Sequence, residues 1–199
     1  MNNDTKNILI VGVGGQGVLL ASELLSEVAV ESGLDAKKSE VHGMSQRGGV
    51  VSSHVRFGPK VYSPIIPYGR ADIILSFEQA EGLRAIDWLS PTGTVIVSKT
   101  RLVPPAANFG TLSYPDDPIA ELKKHTQNVI AVDADRMALD LGNIRLVNTI
   151  LLAVASSFLD FKRETWESAI KALVKPKFVD INLKAFAQGC ALTADKVKA

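Results

Sequence analysis

Apolar positions along the chain fall into alternating rhythms. Asn7 to Val11 is a compact, mostly apolar run of strand length, after which Val18, Ala21, Leu25, Val28 and Ala29 recur at helical spacing up to Gly33, a residue suited to end a helix. This predicts a strand, a tight turn and a helix. Asp72 to Phe77 (DIILSF) predicts a buried strand, Glu78 to Leu89 a helix, Pro91-Thr92-Gly93 a turn and Thr94 to Ser98 a further strand. Asn128 to Asp133 repeats the strand pattern more weakly. Beyond Asp133 the spacing is mostly helical, over Ala134 to Leu141, Arg145 to Leu159, Glu164 to Val174 and Val179 to about Leu192.

One stretch keeps a different period. From Val50 to Phe57 the residues Val51, Ser53, Val55 and Phe57 share one face and Val50, Ser52, His54 and Arg56 the other, which predicts a half-buried strand. Gly58-Pro59 then predicts a reversal into Lys60 to Ser63 and so an antiparallel hairpin set into an otherwise parallel winding. The expected fold is α/β: a single Rossmann-like domain over residues 1–199, with a largely parallel sheet, an inserted antiparallel hairpin and C-terminal helices.

Composition narrows the chemistry. A chain of 199 residues that is 46% hydrophobic can bury one full core, and a formal charge of +1 gives no bias toward nucleic acid. The single cysteine, Cys190, can form neither an internal disulfide nor a thiolate cage, so no metal is expected on this chain. MNNDTK lacks the basic segment of a signal peptide. The most apolar stretch, Ile144 to Leu159, carries Arg145 and Asn148 and falls short of the roughly 18 to 20 residues a span requires. No membrane contact and a cytoplasmic location are expected.

Two motifs stand out. Gly12 to Gly17 reads GVGGQG, with Gly12, Gly14 and Gly17 fitting GxGxxG between a strand and a helix. Backbone N–H groups and the positive end of the helix there suit a phosphate or another anion, while the same turn also serves simply to pack a helix on a sheet. Gly15 and Gln16 complete the candidate loop. A nicotinamide enzyme would place a ribose-binding acid about 20 residues beyond the glycines; that count lands on Lys37 and Lys38, with Asp35 and Glu40 nearby. A NAD(P)-binding reductase and a stand-alone nucleotide-binding module therefore stay open as alternatives. The second motif, SEVHGMSQRGG, is a candidate ligand- or partner-facing loop through His42, Met44, Ser45, Gln46, Arg47, Gly48 and Gly49. Arg47 beside two glycines can clamp a phosphate or carboxylate through its planar fork, or can be an ordinary surface charge. Asn148, within an apolar helix, is expected to be a satisfied core amide.

Taken together, GVGGQGVLLASELL, SEVHGMSQRGG, VVSSHVRFG, SPII before DIILSFE, NIRLVNTILLAVA and NLKAFAQG resemble the gamma-type domain family of 2-oxoacid:ferredoxin oxidoreductases across nearly the whole chain. EVHGMSQRGG is similar to that family's indolepyruvate branch. The resemblance implies a subunit with no complete catalytic site of its own. Coenzyme A would be the co-substrate, with thiamine diphosphate and 4Fe-4S clusters on a large (alpha) partner subunit and ferredoxin served through the complex. It makes His42 and Met44 interface residues, and isolation would leave the chain prone to self-association.

Overall fold

The computed structural model describes residues 5–42, 49–103 and 113–193, with the side chain of His42 outside that description. The strands are β1 (Lys6–Val13), β2 (Asp35–His42), β3 (Val50–Gly58), β4 (Ala71–Ser76), β5 (Leu89–Ser98) and β6 (Val129–Val132). The helices are α1 (Val18–Glu31), α2 (Gln79–Arg84), α3 (Pro118–His125), α4 (Ala134–Asp140), α5 (Val147–Ser156), α6 (Arg163–Leu173) and α7 (Val179–Ala191). No helix among the described residues is long and apolar enough to cross a membrane.

The strands form one sheet in the order β2-β3-β1-β4-β5-β6. β1, β4, β5 and β6 pair in parallel, while β3 is antiparallel to both β1 and β2. The mixed α/β fold with an antiparallel insertion therefore stands, but the hairpin is drawn differently. Residues 60–63 are not a strand, and the arm that pairs with β3 precedes it: Asp35–His42, with Ser39 opposite His54. An edge strand has one neighbour and one open side, so DAKKSEVH needs no continuous apolar run to hold its place.

Smaller differences follow from local geometry. The helix expected over Glu78 to Leu89 stops at Arg84 and continues as a 3-10 turn over Ile86–Trp88. β5 already begins at Leu89, so Pro91-Thr92-Gly93 lies within the strand, next to a register shift against β4. α3, which apolar spacing does not announce, is set by its start: Asp117 accepts from Ala120 N at 2.9 Å and Pro118 occupies the first turn.

The two sheet faces are covered unequally. α1, α5, α6 and α7 cover one face over a core that includes Ile8, Ile10, Val55, Phe57, Ile73, Leu75 and Ile96. Within it α5 is buried from Val147 to Ala155. The other face carries the smaller cluster around Leu9, Val11, Ile74, Val95 and Val97, closed by Leu122 of α3, Ala85 at the end of α2, and Ile66 from the connection between β3 and β4. The alternation expected in β3 is kept, since Val51, Ser53, Val55 and Phe57 are all buried on the helix-rich side.

Candidate functional site

The glycine turn is built around a side chain rather than left open. Gln16 Oε1 accepts from Val13 N at 2.7 Å and its Nε2 donates to Phe77 O at 2.9 Å, so the amide ties the end of β1 to the end of β4. Gly12 sits beneath it. A Cβ at Gly12 would lie 2.9 Å from both Gln16 Oε1 and Phe77 Cβ, which leaves no room for a larger residue. Gly17 is the N-cap of α1 at φ 87°, a conformation glycine adopts without strain, and a Cβ there would come 3.0 Å from Asn148 Nδ2. No side chain among the described residues caps α1, so the first N–H groups of a 14-residue helix point out of the turn.

These groups form one wall of a cleft of about 420 Å³ at the carboxyl ends of the parallel strands. Gly15, Gln16, Gly17 and Leu20 supply that wall. Thr100 and Leu102, after β5, and Asp135, in α4, supply the floor, and Arg145, Val147 and Asn148 supply the far side. The floor is fixed by a chain of hydrogen bonds: Thr100 Oγ1 donates to Asp135 Oδ2 at 2.8 Å, and Gln79 N donates to Thr100 O at 3.1 Å. Open α/β sheets collect ligands at this end of their strands. A helix start without a side-chain cap among the described residues, with an arginine in the lining of the same cleft, suits an anionic ligand.

Asn148 is both structural and site-facing. It is 4% exposed, as expected of a core amide, and its Oδ1 accepts from Thr149 N at 2.8 Å, yet it also lines the cleft beside Gly17. The sequence marks Arg145 only as a residue that spoils a membrane span, and Asn148 as that and as a core amide. Their placement three apart, Arg145 in the 3-10 turn over Ile144–Leu146 and Asn148 in the first turn of α5, is the signal that could have identified them, because three residues carry the chain about once round such a turn. Thr100 and Asp135 carry no comparable signal.

Asp35 and Glu40, the acids nearest the expected ribose position, do not line the cleft. Asp35 Oδ2 accepts from Val61 N at 3.0 Å, and that bond, with Lys37, holds its carboxyl below the usual carboxylate range. Glu40 accepts from Ser22 Oγ at 3.1 Å.

Met44, Ser45, Gln46, Arg47 and Gly48 lie outside the described residues, as does the side chain of His42. Their flanks are described and reach the site. The registers Val13 with Val50 and His42 with Val51 put the end of β2 and the start of β3 at the same end of the sheet as the glycine turn. Gly14 N donates to Gly49 O at 2.8 Å, so the last residue of the second motif is bonded to the first motif.

A second polar cluster holds the segment beyond the cleft floor. Glu78, 1% exposed, accepts from Glu81 N at 3.0 Å, Leu102 N at 3.1 Å and Tyr114 OH. Burial and this carboxylate push the Tyr114 hydroxyl well above its ordinary value. Burial also raises Glu81, against the pull of Arg84 and with a further push from Glu78.

The whole pattern has known counterparts. Residues 7–192 match the family described as pyruvate ferredoxin/flavodoxin oxidoreductase. Subunit IorB of indolepyruvate oxidoreductase from Archaeoglobus fulgidus is 40% identical over 187 residues, covering 92% of each chain. Its counterpart from Thermococcus kodakarensis is 40% identical over 190 residues, covering 92% of this chain and 93% of that one. Among solved structures, pyruvate oxidoreductase subunit PORC from Thermotoga maritima superposes with a TM-score of 0.71 at 20% identity, over 94% of this chain and 95% of that one. The 2-oxoglutarate:ferredoxin oxidoreductase from Magnetococcus marinus, solved with 2-oxoglutarate, coenzyme A and succinyl-CoA, gives 0.73 at 18% identity over 95% of this chain and 31% of that one. These two likenesses show the fold. With the family match spanning nearly the whole sequence, the chain belongs to the pyruvate ferredoxin/flavodoxin oxidoreductase family.

Proposed function

We propose that this chain is the small, non-autonomous subunit of a cytoplasmic 2-oxoacid:ferredoxin oxidoreductase that acts on indolepyruvate or a related aryl pyruvate. The reaction converts the 2-oxoacid and coenzyme A to acyl-CoA and carbon dioxide, with the electrons passing to ferredoxin. Thiamine diphosphate and the 4Fe-4S clusters belong to the large subunit and supply the decarboxylation and electron transfer; one cysteine here cannot ligate such a cluster. This chain supplies a wall of the site. The start of α1 and Arg145 attract an anionic group of coenzyme A or of the partner's cofactor, while the His42-to-Gly49 loop closes against the large subunit. One observation carries this reading: the hydrogen bond from Gly14 N to Gly49 O, which joins the two motifs beside the cleft.

Arg47 provides the test. Replacing it by Ala should leave folding within about 0.5 kcal/mol of wild type. Loss of one charge-assisted contact, about 1.5 to 3 kcal/mol, should cut turnover or coenzyme A affinity about ten- to a hundredfold. Lysine should rescue only in part, since an ammonium lacks the planar fork. The assay is steady-state aryl-pyruvate oxidation by the complex reconstituted with its large subunit, with assembly followed by size-exclusion chromatography. Wild-type kinetics in an intact Arg47→Ala complex would reduce the arginine to a surface charge. Tight NAD(P)H binding by the isolated chain would favour a reductase instead.

A further inference from the structure

A buried chain of hydrogen bonds ends in the cleft on a donor that no described residue uses. Asn182 Nδ2 donates to Phe178 O at 2.8 Å, and Thr149 Oγ1 donates to Asn182 Oδ1 at 2.6 Å. Thr149 N in turn donates to Asn148 Oδ1 at 2.8 Å, which fixes the orientation of that amide and leaves Nδ2 as the end of the chain. Asn148 is 4% exposed, and its Nδ2 meets no acceptor among the described residues. A buried N–H without a partner is costly, so the amide calls for an acceptor that these residues do not supply.

The space beside that donor is kept clear. A Cβ at Gly17 would come 3.0 Å from Nδ2, and Gly17 is the residue from which α1 starts. The amide and the first N–H groups of the helix therefore lie together, with Arg145 in the lining of the same cleft. Asp135, on the floor, already has a donor in Thr100 Oγ1. A second cleft, of about 340 Å³, shares Leu20, Arg145 and Asn148 with the first, so Asn148 stands where the two join. An amide donor, a helix start and an arginine at the junction of two clefts fit a ligand whose phosphoryl groups lie within an elongated molecule. We infer that Asn148 is a ligand-binding residue whose Nδ2 donates to a phosphoryl oxygen of an organic diphosphate lying across the start of α1. The inference rests on the reading of the cleft as an anion site and adds to it a contact from a neutral side chain.

The test uses the full chain with isotope-labelled asparagine, so that NMR reads the side-chain amides. The Nδ2 resonances that either Asn148→Asp or Asn148→Ser removes belong to Asn148. In wild type they should shift as coenzyme A or thiamine diphosphate is titrated in, with the same dissociation constant that calorimetry gives, and the tighter of the two identifies the source of the diphosphate. Asn148→Asp keeps an oxygen for Thr149 N but sets a second oxygen against the ligand where the donor was. It should weaken binding about ten- to a hundredfold, comparably to Arg145→Met. Circular dichroism checks that each variant is folded. Binding weakened by Arg145→Met while the Asn148 resonances stay unmoved, or undiminished binding in a folded Asn148→Asp chain, would keep the anion reading of the cleft and overturn this inference. A wild-type chain that binds neither diphosphate would overturn both.

Discussion

The two faces of the sheet are held by different physics. The face under α1, α5, α6 and α7 is mostly apolar, with α5 running through its middle and one buried polar link from Thr149 Oγ1 to Asn182 Oδ1 at 2.6 Å, and its order comes mainly from area removed from water. The opposite face has two short helices and the connection between β3 and β4, and its apolar cluster is small. Polar groups complete it. Arg56 Nη1 donates to Ser63 O at 2.8 Å, His54 Nδ1 accepts from Ile66 N at 3.2 Å, and Glu78 gathers three donors. Where a layer is too thin to exclude water by bulk, specific hydrogen bonds hold its segments in place, and removing the bond of His54 to Ile66 N or of Glu78 to Glu81 N leaves a buried partner unsatisfied. The helix-rich face should therefore be sensitive to volume and the thin face to polarity and pH.

The sharpest test of volume is Gly189→Ala. A Cβ at this position of α7 would lie 2.6 Å from both Ala153 Cβ and Ile150 O of α5, so the two helices must separate. Overpacking of this kind should cost about 2 to 3 kcal/mol, the largest effect expected. Urea denaturation of the isolated chain measures it. A loss under about 0.5 kcal/mol would mean that the helix-rich face yields easily and that the contrast between the faces is false.

On the thin face, Glu78→Gln changes almost no volume and removes an acceptor oxygen. The amide cannot satisfy Glu81 N, Leu102 N and Tyr114 OH together, so stability should fall by about 1 to 2 kcal/mol. Hydrogen exchange gives the discriminating readout. The amides of Glu81 and Leu102 should exchange faster while those of α1 and α5 keep their protection. Uniform acceleration across both faces would show that Glu78 supports the whole fold rather than one layer.

This division also explains what could be read from the sequence. β1, α1, β4, β6 and the helices after Asp133 follow apolar periodicity because they pack on the helix-rich core or form the middle of the sheet, where burial imposes a period. The segments that periodicity misplaced belong to the edge and the thin face. β2 is specified by its ladder with β3, and α3 by the Asp117 cap with Leu122 as its fully buried anchor. Residues 60–63, expected to be a strand, instead lead onto the thin face, where Val61 and Ile66 are buried and Arg56 holds the carbonyls. The glycine turn was legible because strand, glycines and helix are contiguous in sequence. The cleft's floor and far side were not, because Thr100, Asp135 and Arg145 reach it from separate elements that only the closed sheet brings together.

The smallest expected effect separates the two faces most selectively. His54 is 7% exposed, its ring lies edge-on to Trp88 with centroids 6.5 Å apart, and Nδ1 accepts from Ile66 N, so the neutral ring with its proton on Nε2 is the form that fits. Burial lowers its pKa below the ordinary value of 6.5. In the unfolded chain the ring takes up a proton near that ordinary value, while the folded chain resists until lower pH. Between the two values the unfolded state holds more protons, and stability therefore rises with pH. The contribution is fully present above about pH 6.5 and is lost as pH falls through the folded value, at a slope limited to one proton, or about 1.4 kcal/mol per pH unit. Glu81, raised by burial, acts with the opposite sign above the ordinary carboxylate range, so the measurement must be a difference. His54→Asn keeps an acceptor near Nδ1 and cannot titrate. Urea midpoints of wild type and His54→Asn should run in parallel above pH 7 and approach one another below it, as the wild type alone loses stability. Parallel curves down to pH 5 would mean that the histidine is protonated in place at little cost, and that the thin face is no more sensitive to pH than the core behind it.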